Sequence, residues 1–460
     1  GIVMDYIKEK LKSYLSSVPP ARVIVISFAA VIIIGALLLS MPICSREGTM
    51  TPIIDAFFTA VSATCVTGLV VYDTYTHFNV LGQLVILILI QIGGLGLVTL
   101  TTFFNIVIGK KLGLRSMKLA SESINITTVN GINKMVRMAV FVTFSIEAVG
   151  ALMLGLVFIP KYGLLKGGFT AIFLAISAFC NAGFDILGHE GLFVSLTNYT
   201  DSFVVMATIS SLIIVGGLGF IVWQDIINYR HTKRLLLHTK VVLIVTAILI
   251  GAGTFIYFVY EWNNPYTMGG LSDVEKLGAC LFQSITARTA GFNSIDIVAT
   301  RDITKIFTIL LMFIGAAPGS TGGGIKVTTF AVIIMTVISV ITGKSDTEVL
   351  KRKVDYGIVY RSIAIATLAI TAVFVCVNII ASTIPENVGG IPILFEAVSA
   401  FATVGLSSGV TGVVGIIGKL VLAFLMFVGR VGPVSLAISL AISQSKTKNK
   451  IIPEGKIMVG

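Results

Sequence analysis

The chain has 460 residues, 55% of them hydrophobic and 12% charged, with a mean hydropathy of +0.98. That balance excludes a soluble globular protein and points to an integral membrane protein. A net charge of +11 would suit a nucleic-acid binder, but no folded module interleaves basic with aromatic residues, and none is expected as a partner.

Eight apolar runs long enough to span a bilayer follow in chain order. They are 21–41, 84–104, 135–159, 202–221, 241–260, 306–313 with its continuation 325–341, 363–380 and 420–443. With Arg22 at the start of the first run included, the polar segments on one side of these runs hold 23 of the 33 Lys and Arg: the N-terminus, 105–138, 221–240, 338–361 and the C-terminus. The segments on the other side carry most of the acids. This is the positive-inside bias, and an even number of spans places both termini in the cytoplasm. Residues 1–20 are polar, end in Pro19-Pro20 and show no signal-peptide cleavage pattern. The five cysteines have neither metal spacing nor a CxxC pair and read as buried free thiols. His77, His189, His231 and His238 fall in predicted loops and read as solvated.

After the first span comes a short apolar segment, Pro52–Thr64, about 20 Å long as a helix. That is too short for a hydrocarbon core of about 30 Å. Pro52 suits a first helical turn, and Asp55 lies near the positive end of the helix dipole. The fourth copy of this segment repeats the pattern with Pro392 and Glu396. A half-helix entering from outside aims its negative C-terminal end at the membrane middle, which favours a cation there.

A small-residue stretch ending in glycine follows each such segment. The four read Ser62-Ala63-Thr64-Cys65-Val66-Thr67-Gly68, Ser177-Ala178-Phe179-Cys180-Asn181-Ala182-Gly183, Ile285-Thr286-Ala287-Arg288-Thr289-Ala290-Gly291 and Ser399-Ala400-Phe401-Ala402-Thr403-Val404-Gly405. Their glycines lie 115, 108 and 114 residues apart. A single stretch could be ordinary small-residue packing between transmembrane helices. Four in register, each after a half-length segment, read as one repeated unit surrounding an axis. Glycine accepts the positive φ needed to turn successive carbonyls toward that axis, which is how an ion filter is made. Thr403-Val404-Gly405 even reads like the start of a potassium-channel filter. Asn181 would bond backbone or help coordinate a cation, and Arg288 would sit at the outer mouth or prop the filter from behind.

The second spans also align, through Gly93, Gly216, Gly315 and Gly429, which lie 25, 33, 24 and 24 residues after the four filter glycines. Two of them depart from the pattern. The third continues as Gly315-Ala316-Ala317-Pro318-Gly319-Ser320-Thr321-Gly322-Gly323-Gly324-Ile325-Lys326, which cannot stay helical. It breaks the span below the filter, either as a loop obstructing the path or as a kinked helix with no gating role. It is not a phosphate-binding loop, since Ile325 parts Gly324 from Lys326 and Val327 follows. In the fourth, Arg430 stands where the others have Gly94, Gly217 and Ala316. A guanidinium in the membrane must face a cavity or a partner. Either it faces the pore, as a barrier to cations and a donor to the loop's carbonyls, or it pairs with Glu147.

These residues resemble the Trk/Ktr/HKT superfamily, and specifically the membrane subunit of bacterial Ktr potassium uptake systems, over essentially the whole chain. The strongest marks are Thr286-Ala-Arg-Thr-Ala-Gly-Phe-Asn-Ser294, Gln91-Ile-Gly-Gly-Leu-Gly96, Leu237-His-Thr-Lys240 and Met426-Phe-Val-Gly-Arg-Val-Gly-Pro433. The resemblance implies an all-α membrane protein of four M1–P–M2 repeats, eight spans and four pore half-helices, around a central pore. The repeats are 21–109, 134–229, 239–342 and 361–443, between cytoplasmic segments 1–20 and 444–460. It implies a selectivity filter formed by 64–68, 180–183, 288–291 and 402–405. The permeant K+ would meet the backbone of Thr67, Gly68, Asn181, Gly183, Thr289, Gly291, Thr403 and Gly405. It implies a gate formed by the 315–326 loop and Arg430, no enzymatic activity and no covalently bound cofactor. It implies sodium as an activator, a homodimer in the lipid of a bacterial cell membrane, and a cytosolic RCK-type ring that binds ATP or ADP. The tail 444–460 resembles a dimer-contacting tail. Gly68 favours potassium, because some plant members carry serine there. The loop is richer in proline and glycine than the Ala/Ser-rich version of some relatives. A sodium-coupled alternating-access symporter is the alternative, although inverted repeats would mark that mechanism and these four share one order.

Overall fold

The computed structural model describes residues 20–108, 114–123, 131–385, 387–433 and 435–436. The end of the last apolar run and the tail 444–460 lie outside the described residues, as do residues 1–19. The chain is mostly helical, apart from a two-residue hairpin pairing Glu348–Val349 with Arg352–Lys353.

Long helices open the four successive parts of the chain: α1 (Pro20–Ser40), α6 (Ile132–Tyr162), α10 (Leu237–Glu261) and α14 (Tyr356–Thr383). Each is long and apolar enough to cross a membrane, and the most apolar windows are only 22% to 33% buried. Their outward faces carry residues such as Ile34, Phe141, Phe255 and Phe374, as a lipid-facing helix requires. Each is followed by a short helix: α2 (Ile53–Thr64), α7 (Leu164–Phe179), α11 (Asp273–Thr286) and α15 (Gly390–Phe401). A second helix then completes each part: α3 (Val80–Leu95), α8 (Phe203–Leu218), α12 (Asp302–Phe313) and α16 (Ile416–Val431). Besides a single turn at Thr74–His77, the other described α-helices are α4 (Leu97–Val107), α5 (Leu114–Ser123), α9 (Phe220–Thr232) and α13 (Val327–Ile341). One apolar core joins the first two parts around Ile86, Phe173 and Ile209, and another joins the last two around Met312, Phe395 and Leu425.

Among the described residues four helices are long and apolar enough to span, and two further candidates are bent pairs, α3 with α4 at 89° and α8 with α9 at 94°. The bends fall at Gly96 (φ 83°, ψ 133°) and Gly219 (φ 91°, ψ 151°), backbone angles that no helix accommodates. Gly432 ends α16 with similar angles, φ 93° and ψ 134°. The apolar runs 84–104 and 202–221 do not reveal these bends, because apolarity does not register a single residue's φ.

Two further expectations change. Pro52 is the cap before α2 and Asp55 lies in its first turn, but Glu396 sits mid-helix in α15. Instead of facing a helix dipole, Glu396 accepts hydrogen bonds from Ser407, Ser408 and Thr411 and pins the loop that follows Gly405. His77 and His189 are packed rather than solvated. The former lies 2.9 Å from the Thr51 hydroxyl and stacks on Tyr72; the latter sits between Tyr75 and Tyr162. Burial holds both imidazoles below their ordinary pKa. The cysteines are all buried and unpaired.

The second helices cross the short ones at a glycine. A Cβ on Gly93, Gly216 or Gly429 would run into the carbonyl oxygen of Thr64, Phe179 or Phe401, the final residue of each short helix. Gly429→Ala is expected to destabilise the protein by about 1–3 kcal/mol through overpacking. Gly251→Ala, with nothing within 4 Å of the added carbon, should leave stability unchanged or slightly raised. Thermal unfolding in detergent, read by the surviving monodisperse fraction, checks both.

Candidate functional site

The four short helices end four or five residues before Gly68, Gly183, Gly291 and Gly405, all of which have φ between 67° and 94°. A Cβ on Gly68 would meet the Ala182 carbonyl oxygen, one on Gly183 that of Ala290, one on Gly291 that of Val404, and one on Gly405 that of Thr67. Each glycine therefore abuts the carbonyl preceding the next glycine, and the fourth returns to the first. The contacts close into a ring in chain order. The same added carbons would lie 2.9 to 3.2 Å from the neighbouring glycine's Cα, so no L-side chain fits at these positions without widening the ring.

Sequence reasoning missed a second left-handed residue in each stretch. Val66 (φ 51°), Asn181 (57°), Thr289 (75°) and Thr403 (51°) stand two places before the glycines. Left-handed β-branched residues are strained. Each stretch therefore has left-handed backbone at two positions, one residue apart. The strain is held by short backbone bonds: Thr67 N–H donates to the Ser62 carbonyl (2.8 Å), Ala182 to Ser177 (2.7 Å) and Val404 to Ser399 (2.8 Å). Ser62 and Ser399 hydroxyls also accept from the N–H of Gly68 and Gly405, both at 3.1 Å, while Ser177 donates to the Phe184 carbonyl. The serine six places before the glycine was the available signal. The third stretch has Ile285 there, and its Ala290 and Gly291 N–H groups both turn to the Thr286 carbonyl instead.

The remaining candidates in these stretches divide by surroundings. Cys65, Cys180, Ala182, Ala290, Ala402 and Val404 are fully buried, and a flank of buried hydroxyls, Thr64, Thr67 and Thr289, has no hydrogen-bond partner among the described residues. Asn181, with its amide nitrogen turned toward acceptors, donates to the Ile213 and Ala178 carbonyls at 3.3 and 3.1 Å, so its side chain serves the backbone. Arg288 stands apart from the ring. Its Nη2 donates to the Gly315 carbonyl at 3.4 Å, at the start of the interrupted span.

That interruption runs from Ile314 to Lys326 between α12 and α13, closed at its base by a parallel bridge of Ile314 with Ile325 and by Gly315 N–H donating to the Ile325 carbonyl at 2.8 Å. It lies directly against the ring. Gly322 abuts the Thr289 hydroxyl and Gly323 the Thr403 hydroxyl, which accepts the Gly323 N–H at 3.1 Å. Its other contacts follow from the bends. Bending at Gly219 leaves the last carbonyls of α8 without helical partners. Ala317 and Thr321 N–H donate to Gly217 and Gly216 at 3.0 and 3.3 Å, and Phe220 N–H donates back to the Gly319 carbonyl at 2.9 Å. The Thr321 hydroxyl lies 3.1 Å from both the Phe179 and the Gly216 carbonyl oxygens. The Ser320 hydroxyl donates to the Ala317 carbonyl within the loop, at whose end Lys326 Nζ donates to Gly322 at 2.7 Å.

Arg430 completes this arrangement. Its Nη1 donates to the Thr321 carbonyl, and its Nη2 to the carbonyls of Gly93 and, at 3.2 Å, Gly94. The guanidinium fork thus joins the loop to the orphaned end of α3. Glu147 is not its partner; that carboxylate receives Gln91 at 3.2 Å and the Cys180 thiol at 3.7 Å. Sequence reasoning also missed Glu261, fully buried at the end of α10, which gathers Asn264, Thr267, Thr304 and the Arg301 N–H. The ion pair of Asp55 with Lys419 (2.5 Å) joins the first part to the last on the same side.

Comparison with known proteins adds a family. The model of a cation transport protein family, TrkH, matches residues 8–451. The chain is 41% identical to Ktr system potassium uptake protein B of Bacillus subtilis over 453 residues, covering 98% of this chain and 99% of that protein. It is 39% identical to the potassium/sodium uptake protein NtpJ of Enterococcus hirae over 460 residues, 99% of this chain and 100% of that one. The fold is similar to the crystal structure of the potassium transporter TrkH from Vibrio parahaemolyticus, with a TM-score of 0.69 at 18% identity over 91% of this chain and 84% of that one.

Thr321→Val removes the hydroxyl lodged between two carbonyls. Losing about 1–1.5 kcal/mol of hydrogen bonding should speed amide exchange across 315–326 by about tenfold. Exchange mass spectrometry on the purified protein checks this, and an unchanged rate would mean the hydroxyl does not hold the loop.

Proposed function

The chain belongs to the TrkH family of cation transport proteins, and from that membership we propose that it is the potassium-translocating membrane subunit of an uptake system. One observation carries the reading most directly: four glycine stretches, each following a short helix, close on one another in a ring. Four helix C-terminal ends near one axis place partial negative charge where a cation would dehydrate. Carbonyls turned inward replace its water. Four units with the same element order, rather than inverted halves, favour a single pore over alternating access.

In this reading the four M1–P–M2 units surround a filter built on the backbone of Thr67, Gly68, Asn181, Gly183, Thr289, Gly291, Thr403 and Gly405. The 315–326 loop is the gate, because it lies under the ring and takes its hydrogen bonds from all sides. Arg430 is its latch and adds positive charge on the ion path. Potassium is the permeant ion, in keeping with the names of the similar uptake proteins. Sodium activates the flux. Both termini are cytoplasmic, the subunit pairs with a second copy, and a cytosolic ring binding ATP or ADP moves the loop through the membrane subunit's inner face.

Flux of K+ or Na+ through the purified protein in liposomes, with and without the cytosolic subunit, tests the whole. Selective K+ flux that responds to the subunit is expected; equal K+ and Na+ flux would remove the filter reading. Gly68→Ser, which pushes a side chain toward the Ala182 carbonyl, should lower K+/Na+ discrimination severalfold, and unchanged selectivity would take Gly68 out of the filter. Arg430→Gln should raise basal flux. Arg430→Lys decides why: a lysine keeps the charge but cannot bridge two carbonyl groups as the planar fork does. A latch predicts raised flux in both variants, whereas a purely electrostatic barrier predicts raised flux in the glutamine variant alone.

A further inference from the structure

The bend at Gly96 turns α4 away from α3 and lays it beside α6. Between α4 and α6 lies an outward-facing groove of about 690 Å³, within the ~300–1,000 Å³ range of ligand pockets. Phe103 and Val107 line it from α4, and Arg137, Val140, Phe141 and Phe144 from α6. Ser145 and Ala148 complete the lining, the Ser145 hydroxyl being bonded back to the Phe141 carbonyl. Arg137 is its one charged residue; it stands near the start of α6 and makes no hydrogen bond or ion pair among the described residues. Phe141 and Phe144 are 74% and 49% exposed, so none of the described helices covers the groove.

We propose that this groove binds one anionic phospholipid, with an acyl chain along Phe103, Phe141 and Phe144 and the phosphate on Arg137. The charge pattern selects this occupant. Residues 105–138 contain six Lys and Arg and a single acid, Glu122. Basic pockets between spans on the cytoplasmic side are where anionic headgroups bind. A second copy of the chain fits less well. It would have to bring a carboxylate to Arg137, and α4 carries none, while the only one on α6 is the buried Glu147. The placement in the inner leaflet rests on the charge-based orientation given above. A lipid seated there braces α4, the helix that continues from the bend at Gly96, against α6.

Native mass spectrometry of the full-length protein, with phosphatidylglycerol as probe and phosphatidylcholine as control, tests the site. The wild type should retain phosphatidylglycerol preferentially. Arg137→Gln should lose about fivefold of that preference, the contribution of one basic residue near a lipid surface. Ala148→Trp, which fills the groove and leaves Arg137 in place, should reduce the bound count by one. A photo-crosslinker at Phe144 should capture lipid. Unchanged preference in both variants, or a crosslink to a second copy, would overturn the proposal.

Discussion

A carbonyl oxygen inside a membrane must find a donor, and two of this chain's helices are broken where their own donors run out. Gly96 and Gly219 each take the backbone out of helical geometry within an apolar run. Water cannot reach the freed carbonyls, and an unpaired one costs several kcal/mol in hydrocarbon. The protein answers with donors from other parts of the chain: Arg430 for Gly93 and Gly94, and the N–H groups of Ala317 and Thr321 for Gly217 and Gly216. The loop of the third unit and the arginine of the fourth are therefore as much caps for the first two units as features of their own. This explains why the loop is ordered by hydrogen bonds despite its glycines.

The same requirement links the ring to what lies beneath it. Thr403 belongs to a glycine stretch, yet its hydroxyl accepts from the loop. Thr321 belongs to the loop, yet its hydroxyl reaches the last carbonyl of α7. A shift of the loop would free carbonyls at the ends of α3, α7 and α8 together, so its held position is cooperative. In the proposed pore that gives a gate with two defined states, each needing its own donors, rather than a segment that drifts. The lack of equivalence among the units has the same source. Among the four stretches only the third lacks the bracing serine, and its second helix, α12, ends at Phe313, short of the positions that align with the bends at Gly96 and Gly219.

Much of this was legible in the residues. The register of Gly68, Gly183, Gly291 and Gly405, the half-length segments and the Pro-Gly run at 318–324 all declare themselves by spacing or by helix chemistry. What stayed hidden was geometry with no compositional trace. The runs 84–104 and 202–221 gave no sign of their bends, because a glycine at positive φ is written with the same letter as a helical one. Val66, Thr289 and Thr403 carry left-handed backbone against their own preference, imposed by tertiary packing, while Asn181 adopts it more readily. Glu396 looked like a dipole partner by its distance from Pro392, but α15 starts earlier than Pro392 suggests. Glu261 gave no signal, because its partners lie as far as 43 residues away. Arg430 could be seen to need a partner; that the partners would be three carbonyls from two segments depended on the bends.

The ring of four glycine stretches is the centre of the proposal, and ion density tests it without relying on flux. Crystals of the protein grown in Rb+ should show anomalous scattering on the axis bounded by Gly68, Gly183, Gly291 and Gly405, within carbonyl coordination distance of residues from all four stretches. Rb+ found only outside that ring, or bound by one stretch alone, would contradict a filter shared by the four.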